Sequence, residues 1–116
     1  MNKEIDILMN AGLKKTDAKA LLYLFSHPIT VSRDVERKMT MRQPEVSNSM
    51  KRFVDRGWVT TNKTKEIGKR GRPETLYSLV KSKEEIFSEI KNGIEHKLLL
   101  IQDALVQFKE LEETKK

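Results

Sequence analysis

From Ile86 to Leu111 an apolar residue recurs at every third or fourth position: Ile86, Ile90, Ile94, Leu98, Ile101, Leu105, Phe108 and Leu111. The mean interval is close to ~3.5 residues, the period of a coiled coil. This spacing predicts one long helix, opened by the capping-box sequence "SKEE" at Ser82 to Glu85. If it runs unbroken to about Glu113 it is roughly 45 Å long, at ~1.5 Å per residue. Its weak point is "KNG" at residues 91–93, because Asn92 and Gly93 are poor helix formers and invite a kink. A helix of that length exceeds what one small domain covers. The stripe is therefore a candidate dimer interface, with a short helix carrying Ile5, Leu8 and Met9 as a further contributor. Its alternative use is to cover the core of the domain that precedes it.

The 116 residues suit one modest domain, 1–81, followed by the helical segment 82–116. Cysteine is absent, which removes disulfides, thiolate catalysis and cysteine-based zinc sites. The longest apolar run is "LLLI", far short of the ~20 residues that span a bilayer. The first ten residues, "MNKEIDILMN", contain no long apolar stretch of the secretory kind. The expectation is a soluble, cytoplasmic protein with no membrane partner. His27 and His96 stand alone in sequence and read as packing or surface residues, so no metal and no cofactor is expected. Neither a phosphate-binding glycine loop nor a nucleophile–base spacing is present, and an enzyme is not expected.

Charge is unevenly distributed. Residues 32–81 carry thirteen bases against six acids, whereas residues 82–116 carry six bases against eight acids. A block this basic is the footprint expected of a polyanion-binding surface. A merely solvated basic face has the same composition.

Along the first 81 residues, Ile5, Leu8 and Met9 mark a short helix stopped at Gly12. A second helix begins at Thr16 as its cap, with Ala20, Leu21, Leu24 and Phe25 at helical spacing, and ends at Pro28. "ITV" is a short strand, and Ser32 caps a helix with Val35 and Met39 as its stripe. The next helix, "RQPEVSNSMKRFVDRG", has Pro44 in its first turn, Val46, Met50, Phe53 and Val54 as its buried stripe and Gly57 as its stop. "WVTTNKTKE" and "TLYSLV" are strands joined by a basic, glycine-rich tip. The fold class is α+β, mainly α.

With Val46, Met50, Phe53 and Val54 turned inward, that helix presents Pro44, Glu45, Asn48, Lys51 and Arg52 outward. Gln43 and Ser47 lie at its exposed start and flank. Glutamine and asparagine pair bidentately with adenine, lysine and arginine reach guanine or phosphate, and a glutamate accepts from a cytosine amino group. Ser32 and Arg42 complete the candidate DNA-facing set. Between the strands, Gly68 and Gly71 permit a tight turn, Pro73 stiffens the return, and Lys69, Arg70 and Arg72 carry charge. "RGRP", Arg70 to Pro73, resembles an AT-hook, in which arginines flank a glycine in the minor groove. An A·T-rich minor groove attracts arginine, so Lys69, Arg70, Gly71 and Arg72 are candidates for that groove or for phosphate.

The run "TVSRDVERKMTMRQPEVSNSMKRFVDRGWVTTN" followed by a basic hairpin resembles the MarR, ArsR and TrmB-like transcription regulators, many of them archaeal. The likeness covers about residues 16–80, and the C-terminal helix is similar to the dimerisation helix of those families. It implies a winged helix-turn-helix with a long C-terminal dimerisation helix. Arg42 departs from the Ser or Thr often found at the start of the recognition helix there, with Thr40 as the alternative cap. The implied partner is double-stranded DNA at a pseudo-palindromic promoter site, A·T-rich at its flanks. A homodimer would occupy it, blocking the transcription machinery or helping recruit it. A protein–protein module and an architectural chromatin protein are the rival readings; the first predicts weak DNA binding, the second strong binding without discrimination.

Overall fold

A computed structural model of the chain describes residues 2–67 and 73–114. The chain separates into two units, Met1–Lys83 and Glu84–Lys116. The first contains α1 (Asn2–Asn10), α2 (Lys15–Ser26), β1 (Ile29–Val31), α3 (Ser32–Met39), α4 (Gln43–Asp55), β2 (Val59–Ile67) and β3 (Pro73–Leu79). Helix α5, Lys83–Glu113, makes up nearly all of the second.

In the first unit α2 packs against α1, α3 and α4, and α4 packs on β2. The strands form an antiparallel sheet in the order β1-β3-β2, with Thr30 opposite Tyr77 and Val59 opposite Leu79. The expected hairpin is therefore present as β2 and β3, and β3 is the central strand of the sheet. Leu21 and Leu24 from α2, Val35 from α3, Val46, Met50 and Phe53 from α4, and Trp58 make the core. Removing such side chains from water is worth roughly 1.5–3 kcal/mol each.

Several local expectations shift. Helix α2 begins at Lys15, with Lys14 rather than Thr16 at the capping position, and Phe25 is only half-buried. Val31, in extended conformation, precedes α3, so Ser32 is the first helical residue and not the cap. Val54 is 39% exposed. At ~100° per residue it lies well to one side of the line through Val46, Met50 and Phe53, and the helix buries Ser49 on the other side instead. Ile5 and Leu8 are buried in their own chain, and on α1 the exposed apolar side chains are Ile7 and Met9.

The end of α4 is a Schellman motif. The Trp58 N–H donates to the Phe53 carbonyl at 2.9 Å and the Gly57 N–H to the Val54 carbonyl at 2.9 Å. Gly57 takes φ +77°, and the Phe53 and Trp58 rings stack at 5.6 Å across the turn, the apolar contact this motif favours. Arg56 lies over the Trp58 ring at 4.6 Å. Thr40, between α3 and α4, is the β-branched counterpart at φ 53°. No atom lies within 4 Å of a Cβ built on Gly57, so the effect of substitution there is conformational. Gly57→Ala is expected to lower stability by about 1 kcal/mol, and Thr40→Gly to raise it by up to about 1 kcal/mol. Urea unfolding followed by the single tryptophan, Trp58, measures both.

Helix α5 is continuous for 31 residues, through Asn92 and Gly93. One glycine costs about 1 kcal/mol against alanine, too little to break a helix flanked by good formers on both sides. Ile86 is buried and Ile90 half-buried, whereas Ile94, Leu98, Ile101, Leu105, Phe108 and Leu111 are exposed in the single chain. Among the described residues no helix is long and apolar enough to cross a membrane.

Candidate nucleic-acid interface

Helix α4 opens at Arg42, whose backbone is extended (φ −90°, ψ 155°). The Glu45 carboxylate accepts the Arg42 N–H at 2.9 Å, closing the first turn where no intrahelical partner exists. The cap therefore falls at Arg42, directly before the first helical residue Gln43, and not at Thr40. Glu45, expected as a cytosine reader if it approached DNA, has one oxygen engaged in that cap. Pro44 sits in the first turn, where a missing N–H costs nothing. Arg42, Gln43, Pro44, Asn48 and Lys51 are exposed, while Glu45 and Ser47 are half-buried. The first two turns thus offer an exposed amide at Gln43 and another at Asn48, five residues on, with Lys51 one turn further.

Arg52 stands differently. Its Nε donates to Asp17 Oδ2 at 2.8 Å and its Nη2 to Oδ1 at 2.7 Å, while Ser49 Oγ donates to Oδ1 at 2.6 Å. Ser49 is fully buried and Asp17 nearly so. The bonds to Asp17 hold the guanidinium above its ordinary basicity, against the opposing effect of burial. Two of its donors are therefore committed to α2, and the three residues pin α4 to α2. Sequence reading passed over Asp17, although a signal existed: it lies one turn before Leu21, on the buried face of α2. An acid in an apolar stripe implies a buried partner.

Beside the start of α4, a groove of about 250 Å³ lies between α3, α4 and β3. Gln43 forms its rim on α4, Ser32, Arg33 and Glu36 line it from α3, and Glu74 and Tyr77 from β3. Ser32, a candidate for the DNA-facing set, donates its Oγ–H to Glu36 Oε2 on its own helix at 2.7 Å. Arg33 Nη1 lies 2.8 Å from Glu74 Oε1. The candidates Lys69, Arg70, Gly71 and Arg72 fall outside the described residues. Among the described residues no three His, Cys, Asp or Glu side chains gather into a metal-binding group.

Burial, and then the Glu36 charge, push the Tyr77 phenol above its ordinary value of 10.0. A phenol that keeps its proton more firmly in the folded chain leaves the folded state with more bound protons above about pH 10. Stability is thus unaffected below that pH and falls as pH rises through the folded value. In an alkaline absorbance titration Tyr77→Phe is expected to remove the late-ionising phenol, leaving Tyr23 as the one tyrosine.

Residues 8–83 match the profile of the family described as sugar-specific transcriptional regulator TrmB. No curated protein matches the chain by sequence. Among solved structures, the ST1889 protein from the thermoacidophilic archaeon Sulfolobus tokodaii is similar with a TM-score of 0.65 at 19% identity, over 87% of this chain and 95% of that one. A possible transcriptional regulator from Methanosarcina mazei Go1 gives 0.59 at 19%, over 96% and 88%. The overoxidized AbfR bound to DNA gives 0.56 at 20%, over 92% and 74%. These TM-scores establish a shared fold, that of the winged-helix regulators.

Proposed function

This chain belongs to the TrmB family of sugar-specific transcriptional regulators, DNA-binding regulators and not enzymes, and from that premise we propose that it works as a homodimer reading an inverted-repeat operator. The observation that carries the reading is the exposed start of α4. Two amides able to hydrogen-bond adenine, Gln43 and Asn48, are exposed on the first two turns of a helix whose Val46, Met50 and Phe53 are buried. In a helix-turn-helix this end of the second helix meets base edges in the major groove. Lys51 and Arg42 flank the amides and reach phosphate, and Ser47 supplies a hydroxyl. Lys69, Arg70 and Arg72, with Gly71 between the arginines, grip the adjoining minor groove or backbone. The DNA-bound state of AbfR, a protein of similar fold, accords with this use.

The second copy follows from α5. Ile94, Leu98, Ile101, Leu105, Phe108 and Leu111 are each between 42% and 66% exposed, an apolar strip of a kind that soluble monomers seldom leave open. Two such helices pair seam to seam, and a twofold dimer presents its recognition helices to two half-sites about one helical turn apart. Bound to a promoter, the dimer blocks the transcription machinery or helps recruit it.

Selection from random duplex DNA at moderate salt tests the reading. A short enriched inverted repeat with A·T-rich flanks is the expected result. Strong retention with no enriched sequence favours an architectural protein, and no retention removes DNA from the function.

A further inference from the structure

We propose that the Arg33–Glu74 ion pair is a charge latch: Glu74 withholds the Arg33 guanidinium from the phosphate backbone until α4 is seated in its groove. The inference rests on the reading of α4 as the base-reading helix. It begins from a misfit. The block of residues 32–81 carries thirteen bases and six acids, yet the groove beside Gln43 holds two carboxylates, Glu36 and Glu74, and one guanidinium. Where the interface most needs positive charge, it is locally acidic.

The two carboxylates have different partners. Glu36 is tied to Ser32 within α3 at 2.7 Å. Glu74 reaches across from β3 to Arg33 Nη1 at 2.8 Å, joining the wing's return strand to the helix that precedes α4. Arg33 and Gln43 face the same groove, so a DNA strand whose bases meet Gln43 passes its phosphates close to Arg33.

The pair is exchangeable. The Arg33 side chain is 52% exposed and that of Glu74 27%, so water screens their attraction and the bond is weak. A phosphate offers the guanidinium the same planar, bidentate geometry as a carboxylate. Loose, non-specific docking draws its strength almost wholly from phosphate contacts, and with Arg33 withheld it lacks one. Close seating on the right sequence brings a phosphate near enough to displace Glu74. The latch therefore subtracts more from wrong complexes than from the right one.

Two duplexes test this: a short fluorescent one of scrambled sequence, and the sequence enriched by selection. Glu74→Gln is expected to tighten binding to the scrambled duplex about threefold to tenfold, and to steepen its log affinity against log salt by about one, the signature of one added phosphate contact. The enriched duplex gains less, so discrimination falls. Arg33→Ala alone bares the Glu74 carboxylate and weakens scrambled binding, and Glu74→Gln is expected to gain clearly less in the Arg33→Ala protein, where no guanidinium is released, than in the wild type. An equal gain in the two backgrounds means that only a negative charge was removed, and it overturns the latch. So does a Glu74→Gln protein that binds like the wild type, or more weakly with its thermal melt unchanged. No binding by the wild type to either duplex overturns the latch together with the reading beneath it.

Discussion

Replacing Ile101 with glutamate is expected to yield a folded monomer whose affinity for an inverted-repeat duplex is lower by about 10² to 10⁴, the factor lost when two linked binding sites become one. Ile101 is 66% exposed in the single chain, at the centre of a stripe in which Leu98, Leu105 and Phe108 are exposed by more than half. In the proposed seam each chain of the pair would carry one such carboxylate into an apolar surface. Like charges and lost hydration both oppose pairing there. In the isolated chain the same side chain stays in water and costs little. Leu99→Glu is the control. Leu99 is 63% exposed but lies about two residues' rotation away, on the other side of α5, and its substitution leaves the dimer intact. Sedimentation equilibrium reads the association and a duplex titration the affinity. A dimeric Ile101→Glu protein with unchanged affinity refutes the seam, and a monomeric Leu99→Glu protein relocates it.

Asp17→Ala is expected to destabilise the first unit by about 2–4 kcal/mol. Asp17 accepts hydrogen bonds from Ser49 and from two nitrogens of Arg52. Truncation leaves the fully buried Ser49 hydroxyl without its acceptor, a cost of about 1–3 kcal/mol. Arg52 loses its counter-charge as well, but its side chain is 39% exposed and turns to water, which tempers that part of the loss. Asp17→Asn keeps an acceptor for Ser49 and is expected to cost about half as much. Adding Ser49→Ala to Asp17→Ala removes the stranded donor and restores roughly 1 kcal/mol, since deleting both partners is cheaper than deleting one. Urea unfolding followed by Trp58 fluorescence gives each value. An Asp17→Ala protein as stable as the wild type shows that the clamp contributes nothing to holding α4 on α2.

Much of the fold was legible because its signals are local. The helix at residues 43–55 announced itself by a proline in the first turn, apolar residues at Val46, Met50 and Phe53 and a glycine stop, each acting within a few residues. The hairpin was written in two β-rich runs around a glycine-rich tip, and α5 in a period sustained over seven turns. Where a local rule misled, a competing local effect was close in size. Gly93 favours a kink by its own propensity, yet one glycine is outvoted by its helical neighbours. Ser32 has the chemistry of a cap, but extended backbone reaches Val31 and Ser32 bonds within its helix instead.

The candidate site divides the same way. Composition, period and caps by themselves determined that this chain makes a helix-turn-helix with a hairpin and a long apolar helix, and which side of α4 is polar. Only the tertiary structure decided which polar side chains are free. Arg52 and Lys51 are neighbours of equal charge on one helix, yet Arg52 bonds Asp17, 35 residues away, while Lys51 is exposed. Arg33 likewise meets Glu74 across the groove between α3 and β3. Backbone preference is set within a few residues and can be read along a sequence. Ion pairing falls off within a few ångströms, and which groups come that close is known only once the chain has folded.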